Sequence, residues 1–513
     1  MWDMIRDEAD LGMADRIQVQ REDAHGENRK AAQHVKGKLS AWERIEYLLD
    51  KGSFVEINMH VQHRCTYFGM ERREYAGDGV ITGIGSIGER PVCVFAQDFT
   101  VMGGSISEVN GQKVAKLYEK ALAMKVPVIG LFDSGGARVQ EGISALSGLG
   151  RIFYYNVQVS GIIPQIAAIM GNCAGGGAYS PALMDYMVMV KSANLFIAGP
   201  RVVREAIGQE VSLEELGGIR VHAEESGQVD FVAEDDRECL DYIRRLIWLL
   251  PGNCDEHPSA SEKYSYDSSK MTAIGAVLPQ SNRHPYDIHR VVDCIIDDGS
   301  LMELKQYYAP NIVTAYARIG GHLIGIVANQ PLDKAGCIDM NASDKAARFV
   351  RMCDSYNIPL LTLVDVSGFY PGKEQERGGL IRHGSKLIYA YAESRVCKIT
   401  VILRKAYGGA YLAMCSKELG ADIVYAWPSA EMAVMSAQAA ADVLYRDISP
   451  QEKERKIEEY ENLFLNPKEA MRLGYIDQVI EPGETRDSVL KALGFFAGNR
   501  ENQDKKIHGN IPL

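Results

Sequence analysis

No stretch of this chain stays apolar for the roughly 18–20 residues that a bilayer-spanning helix needs. Its opening, MWDMIRDEADLG, lacks the basic-then-apolar order of a secretion signal. The expected location is the cytoplasm, either free or peripheral on a membrane complex. The 10 cysteines, spread from Cys65 to Cys415, include no C-x-x-C pair, which argues against a zinc ribbon or a disulfide scaffold in a chain this long. The sequence also has no H-E-x-x-H, no G-x-x-x-x-G-K phosphate loop and no carboxylate set with metal-ligand spacing, so no metal is expected in this chain. A concentrated basic stripe is missing too. With 56 Lys and Arg against 68 Asp and Glu, interspersed to a net charge of −12, nucleic acid is excluded as a partner.

What the chain does have is a copy of itself. Its 513 residues exceed one ordinary core, and landmarks recur along it. Asp50-Lys-Gly-Ser53 before FVEI matches Asp297-Asp-Gly-Ser300 before LMEL at an offset of 247. The offset then becomes 232: Val80-Ile-Thr82 matches Ile312-Val-Thr314, VCVFAQD from Val92 matches IGIVANQ from Ile324, and VPVIGLFDSG from Val126 matches IPLLTLVDVSG from Ile358, aligning Asp133 with Asp365. Aligning GGAY at 176–179 with GGAY at 408–411 extends the same offset of 232 to a glycine turn in each half. A duplicated domain follows.

Each copy alternates short β-branched strands with helices such as Gln112–Met124 and Ala342–Ser355. The expected fold class is therefore α/β, two tandem domains with largely parallel strands. The expected domains are 1–255 and 265–513. The linker is expected within Pro251–His284, where turn formers and charge gather. Ser40-Ala-Trp-Glu43 reads as a capping box opening a helix toward Leu49. The first forty residues are charged and helical in character, and the tail after Asn499 is polar, read as mobile or as an assembly contact.

In both copies an apolar strand runs into bare backbone, Gly175-Gly176-Gly177 in the first and Gly408-Gly409-Ala410 in the second. Strand, glycine turn and helix start make a place where main-chain N–H groups converge on an oxyanion. A lone GGG is more often only a tight turn; the recurrence favours function. Ser134 in Asp133-Ser-Gly-Gly-Ala-Arg138 resembles a nucleophile context, but its repeat counterpart is Val366 and no histidine is locally placed to activate it. Gly135 and Gly136 serve there to bend the strand end. Cys173 reads as packing. Lys125 in AMKV resembles a biotin-attachment motif, yet it ends a helical stretch, so any biotin must arrive on another chain. Arg382, His383, Arg404 and Lys405 place positive charge near the strand ends of the second copy.

The segments GKLSAWERIEYLLDKGSFVEI, DSGGARVQEG, MGNCAGGGAYSPALMD, NASDKAARFVRMCDSYNIPL, GGLIRHGSKLIYAYAE, RKAYGGAY and YAWPSAEMAVM resemble the carboxyltransferase subunits of biotin-dependent acyl-CoA carboxylases and decarboxylases. The resemblance implies two tandem crotonase-like (ClpP/crotonase) domains, the first holding the acyl-CoA thioester and the second biotin. It implies a hexamer built as a trimer of dimers. It also implies a biotin carboxyl carrier protein as partner, with a biotin carboxylase or a membrane decarboxylase subunit beside it. Amides around Gly175, Gly176 and Gly177 would hold the thioester oxygen as an enolate forms, with Gly135, Gly136, Ala137, Ala174 and Leu412 around the acyl-CoA. Those of Gly408, Gly409 and Ala410, flanked by Tyr407 and Tyr411, would polarise the biotin ureido oxygen. Ser367, Ser436, Ala439 and Leu412 depart from the family pattern; the last, with HRCTYFGM at 63–70, looks more like the decarboxylase and transcarboxylase branch. Propionyl-CoA and methylmalonyl-CoA are the implied substrate pair, with malonyl-CoA/acetyl-CoA or glutaconyl-CoA as alternatives. The rival readings are a biotin-independent crotonase-like hydratase or thioesterase, and a non-catalytic scaffold.

Overall fold

The computed structural model describes residues 27–282, 284–445, 448–497 and 508–512. Most of the helical expectation for the first forty residues, and the start of the tail after Asn499, lie outside these. The chain divides into two compact units, Met1–Asn253 and Cys254–Leu513.

In the first unit, β1 (Val55–Glu56), β2 (Val80–Ile87), β3 (Arg90–Gln97), β4 (Val128–Ser134), β5 (Gln165–Ala174), β6 (Tyr186–Val190), β7 (Asn194–Phe196) and β8 (Phe231–Ala233) form one sheet. Its order is β1-β2-β3-β4-β5-β6-β8, with β7 pairing the end of β5. The two pairings at the β1 edge are antiparallel and the rest are parallel. Every residue of β4 is buried, as a strand covered on both faces requires. The covering helices include α1 (Ala41–Leu48), α2 (Glu108–Met124), α3 (Ile143–Val159), the short α4 (Tyr179–Leu183) and α5 (Asp236–Leu249). Ser40 caps α1 in a reciprocal box with Glu43, and Lys125 closes α2 in the left-handed region at φ +54°.

The second unit repeats this plan with β9 (Met302–Leu304), β10 (Ile312–Ile319), β11 (His322–Asn329), β12 (Leu360–Val366), β13 (Lys398–Tyr407), β14 (Ile423–Ala426), β15 (Glu431–Ala433) and β16 (Gln478–Val479). Read from β9, the order β9-β10-β11-β12-β13-β14-β16 with β15 on β13 is that of the first sheet. Val313, Ala315 and Ala317 of β10 share a core with Ile324, Ile326 and Ala328 of β11, and with Leu361, Leu363, Val401 and Leu403. Alternation of period two puts these residues on one face. Its helices include α6 (Met340–Ser355), α7 (Leu380–Glu393), α8 (Gly408–Ala413) and α9 (Ala437–Leu444).

The register corrects the alignment of the repeat by one residue. Val128 lies opposite Gln165 in the first sheet, and Leu360 opposite Lys398 in the second. The offset is 232 on β4 but 233 on β5, because the connection from β12 to β13 is one residue longer. Gly175 therefore corresponds to Gly408, not Gly176 to Gly408, and identity of the GGAY letters misled the alignment.

Much of the stretch expected as a linker is not free chain. Asn357 Nδ2 donates to the carbonyls of Cys254 and Glu256 at 2.8 and 2.7 Å, and the Ser261 N–H donates to the Gly321 carbonyl at 2.9 Å. The described end of the tail is also held, with His508 3.1 Å from Asp354 and the Ser355 hydroxyl donating to Asn510 at 3.1 Å.

Candidate functional site

The two turns have the same backbone path. Ala174 ends β5 extended (φ −117°, ψ 153°), Gly175 steps to φ +61°, and a 3₁₀ turn over Gly175–Ala178 leads into α4. Tyr407 ends β13 at φ −110°, ψ 137°, Gly408 steps to φ +60°, and α8 begins there. Positive φ is costly for any residue with a Cβ, which explains why both positions are glycine. The helix starts that follow leave first-turn N–H groups with no acceptor inside the helix. Gly175, Gly176 and Gly177, and Gly408, Gly409 and Ala410, thus each present main-chain donors at a strand end.

The two turns differ in what a side chain on them would meet. A Cβ at Gly409 would meet nothing closer than Phe369 at 3.9 Å, whereas one at Gly176 would lie 3.0 Å from Leu149 and one at Gly177 3.3 Å from Ile106. Gly136, at φ +95°, approaches so closely that its Cβ would sit 2.8 Å from the Ala174 carbonyl oxygen. The Gly135–Ala137 loop is thereby packed against the first turn. Two of its amides are engaged: Gly135 donates to the Gly103 carbonyl at 2.8 Å and Gly136 to Ser134 Oγ at 3.1 Å. Ala137 bridges Ile106.

Ser134 is fully buried and its hydroxyl is an acceptor for that loop, a role unlike a nucleophile's. Cys173 is buried, and burial pushes its thiol up to about 12. His383 Nδ1 lies 2.7 Å from Asp344, which fixes it on α7. The Tyr407 hydroxyl donates to Glu431 and is held in its neutral form by burial and by that carboxylate. The Tyr411 hydroxyl is buried with no hydrogen-bond partner among the described residues. Leu412 is 43% exposed. Ser436 caps α9 at φ −61°, its Oγ accepting the N–H of Ala439 within that helix, so neither of these two positions requires glycine; Ser367 Oγ donates to the Ala335 carbonyl at 3.2 Å.

Several supporting residues were missed from sequence. Arg138, completely buried, reaches Asp78 Oδ1 at 2.5 Å and Glu141 at 3.2 Å and so anchors the loop beside the first turn. Asp133, at the end of β4, meets Lys38 at 3.1 Å and Arg44 at 3.4 Å. Its counterpart Asp365 meets Arg404 Nε at 2.9 Å. Lys113 and Lys345 are equivalent at offset 232: Lys113 donates to the carbonyls of Gly77 and of Val80 at the start of β2, and Lys345 to that of Tyr308 before β10. Burial lowers them to about 8 and about 7. The repeated Asp and Lys in the aligned halves were the available signal, with Arg404 visible as a charge near a strand end; the pairing of each with its partner, distant in sequence, carried none.

Among the described residues, no group of three or more His, Cys, Asp or Glu side chains could hold a metal ion, and no helix is long and apolar enough to cross a membrane.

A carboxyl transferase domain model matches residues 32–511. The chain is 48% identical over 489 residues to the methylmalonyl-CoA decarboxylase subunit alpha of Veillonella parvula, covering 95% of this chain and 96% of that one. It is 48% identical over 509 residues to the propionyl-CoA carboxylase beta chain of Saccharopolyspora erythraea, covering 96% and 93%. A solved transcarboxylase 12S, described as a hexamer assembly with methylmalonyl-coenzyme A and methylmalonic acid bound, superposes with a TM-score of 0.93 at 47% identity, over 98% of this chain and 100% of that one.

Proposed function

The chain belongs to the carboxyl transferase family, and from that premise we propose that it moves a carboxyl group between biotin on a separate carrier protein and the α-carbon of a short acyl-CoA, the propionyl-CoA/methylmalonyl-CoA pair. The observation that carries this reading is the pair of equivalent turns, Gly175 at φ +61° and Gly408 at φ +60°, one per unit. Transfer of a carboxyl group between an amide-like nitrogen and a thioester α-carbon builds negative charge on two carbonyl oxygens. Two sets of preorganised amide donors answer that need.

In the decarboxylating direction the bond between the α-carbon and the carboxylate breaks, and the electron pair left on carbon spreads onto the thioester oxygen. The first-turn amides of Gly175–Gly177 stabilise that oxygen as it becomes an enolate. The open space before Gly409 and the helix start over Gly408–Ala410 fit a ureido carbonyl, with the amides of that turn polarising it. When bound, biotin would supply a ureido nitrogen that exchanges its proton for the carboxyl group, the proton going to the α-carbon as the carboxyl group leaves it, and the reverse in the carboxylating direction. Ser134, Cys173 and His383, each already engaged or buried, hold no step.

Similarity to the solved hexamer supports a like assembly here, and the Veillonella and Saccharopolyspora relatives support a carrier and a carboxylase or membrane subunit as companions. The test is incubation of the purified full chain with methylmalonyl-CoA, with and without free biotin. Loss of the carboxyl group only with biotin is the expected result. Equal turnover without biotin would instead favour a hydratase- or thioesterase-like enzyme.

A further inference from the structure

We propose that Glu431 is a positioning residue for carboxyl transfer at the second turn, acting through Tyr407; this rests on the functional reading above. Tyr407 is the last residue of β13 and is 7% exposed. Its hydroxyl donates to Glu431 Oε2, and Asn282 Nδ2 donates to Oε1 of the same carboxylate. In the ladder Tyr407 lies opposite Ala433 and Lys405 opposite Glu431. The side-chain tie therefore fastens the end of β13 to the start of the strand already paired with it. The residue that follows is Gly408, where the amide donors begin.

The first unit has the same ladder without the tie. Ala174 lies opposite Phe196 and Asn172 opposite Asn194, so Ala174 stands where Tyr407 does and Asn194 where Glu431 does. An alanine has nothing to tie. A second difference follows the same line: a Cβ at Gly408 would be 3.1 Å from the Val434 carbonyl oxygen, but one at Gly175 would be 3.8 Å from that of Ile197. The second turn lies closer to its bracing strand, and it is the one with the extra clasp.

Amide donors act on a developing oxyanion only when aimed at it, and a shift of about 1 Å in positioning costs on the order of 10²-fold in rate. The tie is a device for that aim at one turn and not the other. Glu431 itself does not touch the reacting atoms in this scheme.

The experiment uses the full-length protein with methylmalonyl-CoA and free biotin, and amide hydrogen exchange without any ligand. Wild-type turnover stimulated by biotin is the control for the functional reading; its absence would sink that reading and this inference with it. With the control met, Tyr407→Phe and Glu431→Ala are each expected to lower kcat by about 10²-fold, leaving KM for methylmalonyl-CoA within about twofold. The double variant should be no worse than the poorer single one, as residues acting through one contact are not additive. Glu431→Gln keeps an acceptor oxygen for Asn282 and can donate its amide N–H to the Tyr407 hydroxyl, which accepts as well as donates, so it should retain most of the activity. Peptides covering 404–414 should exchange faster in the first two variants, while those covering 170–180 stay unchanged. Unaltered exchange at 404–414 in Tyr407→Phe, additive losses in the double variant, or a KM for methylmalonyl-CoA that rises with the fall in kcat would each overturn the proposal. Tyr407→Phe removes a single oxygen and keeps the ring's shape, so it decides the matter if Glu431→Ala does not fold.

Discussion

Gly175 and Gly408 occupy one point of a duplicated strand, separated by 233 residues and matching in φ to within a degree, at +61° and +60°. The two positions differ in what surrounds them. At Gly408 a Cβ would add a 3.1 Å contact with a backbone carbonyl, and at Gly175 the nearest atom is 3.8 Å away. Gly175→Ala should therefore carry only the left-handed strain of about 1–2 kcal/mol, while Gly408→Ala should carry that and a displaced turn. The expected outcome is a fall in biotin-dependent turnover of on the order of 10²–10³-fold for Gly408→Ala, the size of a lost oxyanion donor, with KM for the acyl-CoA nearly unchanged. Gly175→Ala should act mainly on acyl-CoA turnover. Steady-state kinetics with each substrate varied in turn distinguishes the two patterns, and the reverse pattern would show that the units divide the substrates the other way.

The same buried carboxylate is neutralised by different means in the two units. At offset 233, Gly171 stands where Arg404 does. Arg404 fills that place and donates to Asp365 at 2.9 Å, whereas a Cβ on Gly171 would fall 2.0 Å from Asp133 Oδ1. The charge for Asp133 comes instead from Lys38 and from Arg44 of α1. Gly171→Ala should thus break a buried ion-pair cluster rather than merely crowd it, and Arg404→Met should leave Asp365 buried without its guanidinium partner, its Oδ1 held by the Lys405 N–H at 3.2 Å. Losing one member of such a pair costs about 3–5 kcal/mol. Gly494→Ala, at a helical site where the Cβ meets nothing within 4 Å, is the contrast, expected to be neutral or stabilising by up to about 1 kcal/mol. Denaturant midpoints for the three variants are the measurement.

These two pairs also mark how far the sequence could be read. The repeat, the strand and helix pattern and both glycine turns were legible, since apolar periodicity and glycine are local signals. The register was not, because one residue gained between β12 and β13 is silent when GGAY can be laid on GGAY. The struts were not legible either. Asp133 and Asp365 aligned, but Arg44 lies 89 residues from the first, and no local spacing announces that pairing. Tyr407 was visible beside its turn; that its hydroxyl is engaged by Glu431 depends on the late strand β15.

Ser134→Ala tests directly the serine-nucleophile reading that the structure disfavours. In the structure Ser134 Oγ accepts the Gly136 N–H at 3.1 Å, so its removal should cost about 1 kcal/mol of stability, the worth of one buried hydrogen bond. The rate of biotin-dependent transfer should fall less than about tenfold, because an amide left without an acceptor loosens a loop and removes no reacting group. A loss of many thousandfold, as a removed nucleophile gives, would point back to serine chemistry.

His289 sets a pH dependence of the second unit that can be separated from the rest. Its ring lies 2.9 Å from Glu303 and 2.8 Å from Asp287. The hydrogen bond to Glu303, then the one to Asp287 and the two negative charges, outweigh partial burial and raise it to about 9. A base whose folded value exceeds its unfolded one, near 6.5, stabilises fully below the unfolded value and loses that stabilisation as pH rises through the folded one. The contribution should therefore be nearly whole at pH 6, fall steadily as the pH climbs from the unfolded value toward about 9, and be gone above it. Lys345, lowered by burial to about 7, has the opposite slope: its unfolded form still holds a proton that the folded form has released, so stability rises with pH through this range. Comparing wild type with His289→Gln cancels Lys345, which both contain. Melting temperatures from pH 6 to 10 should fall more steeply in the wild type than in His289→Gln. Parallel profiles would mean that His289 is not held protonated between Glu303 and Asp287.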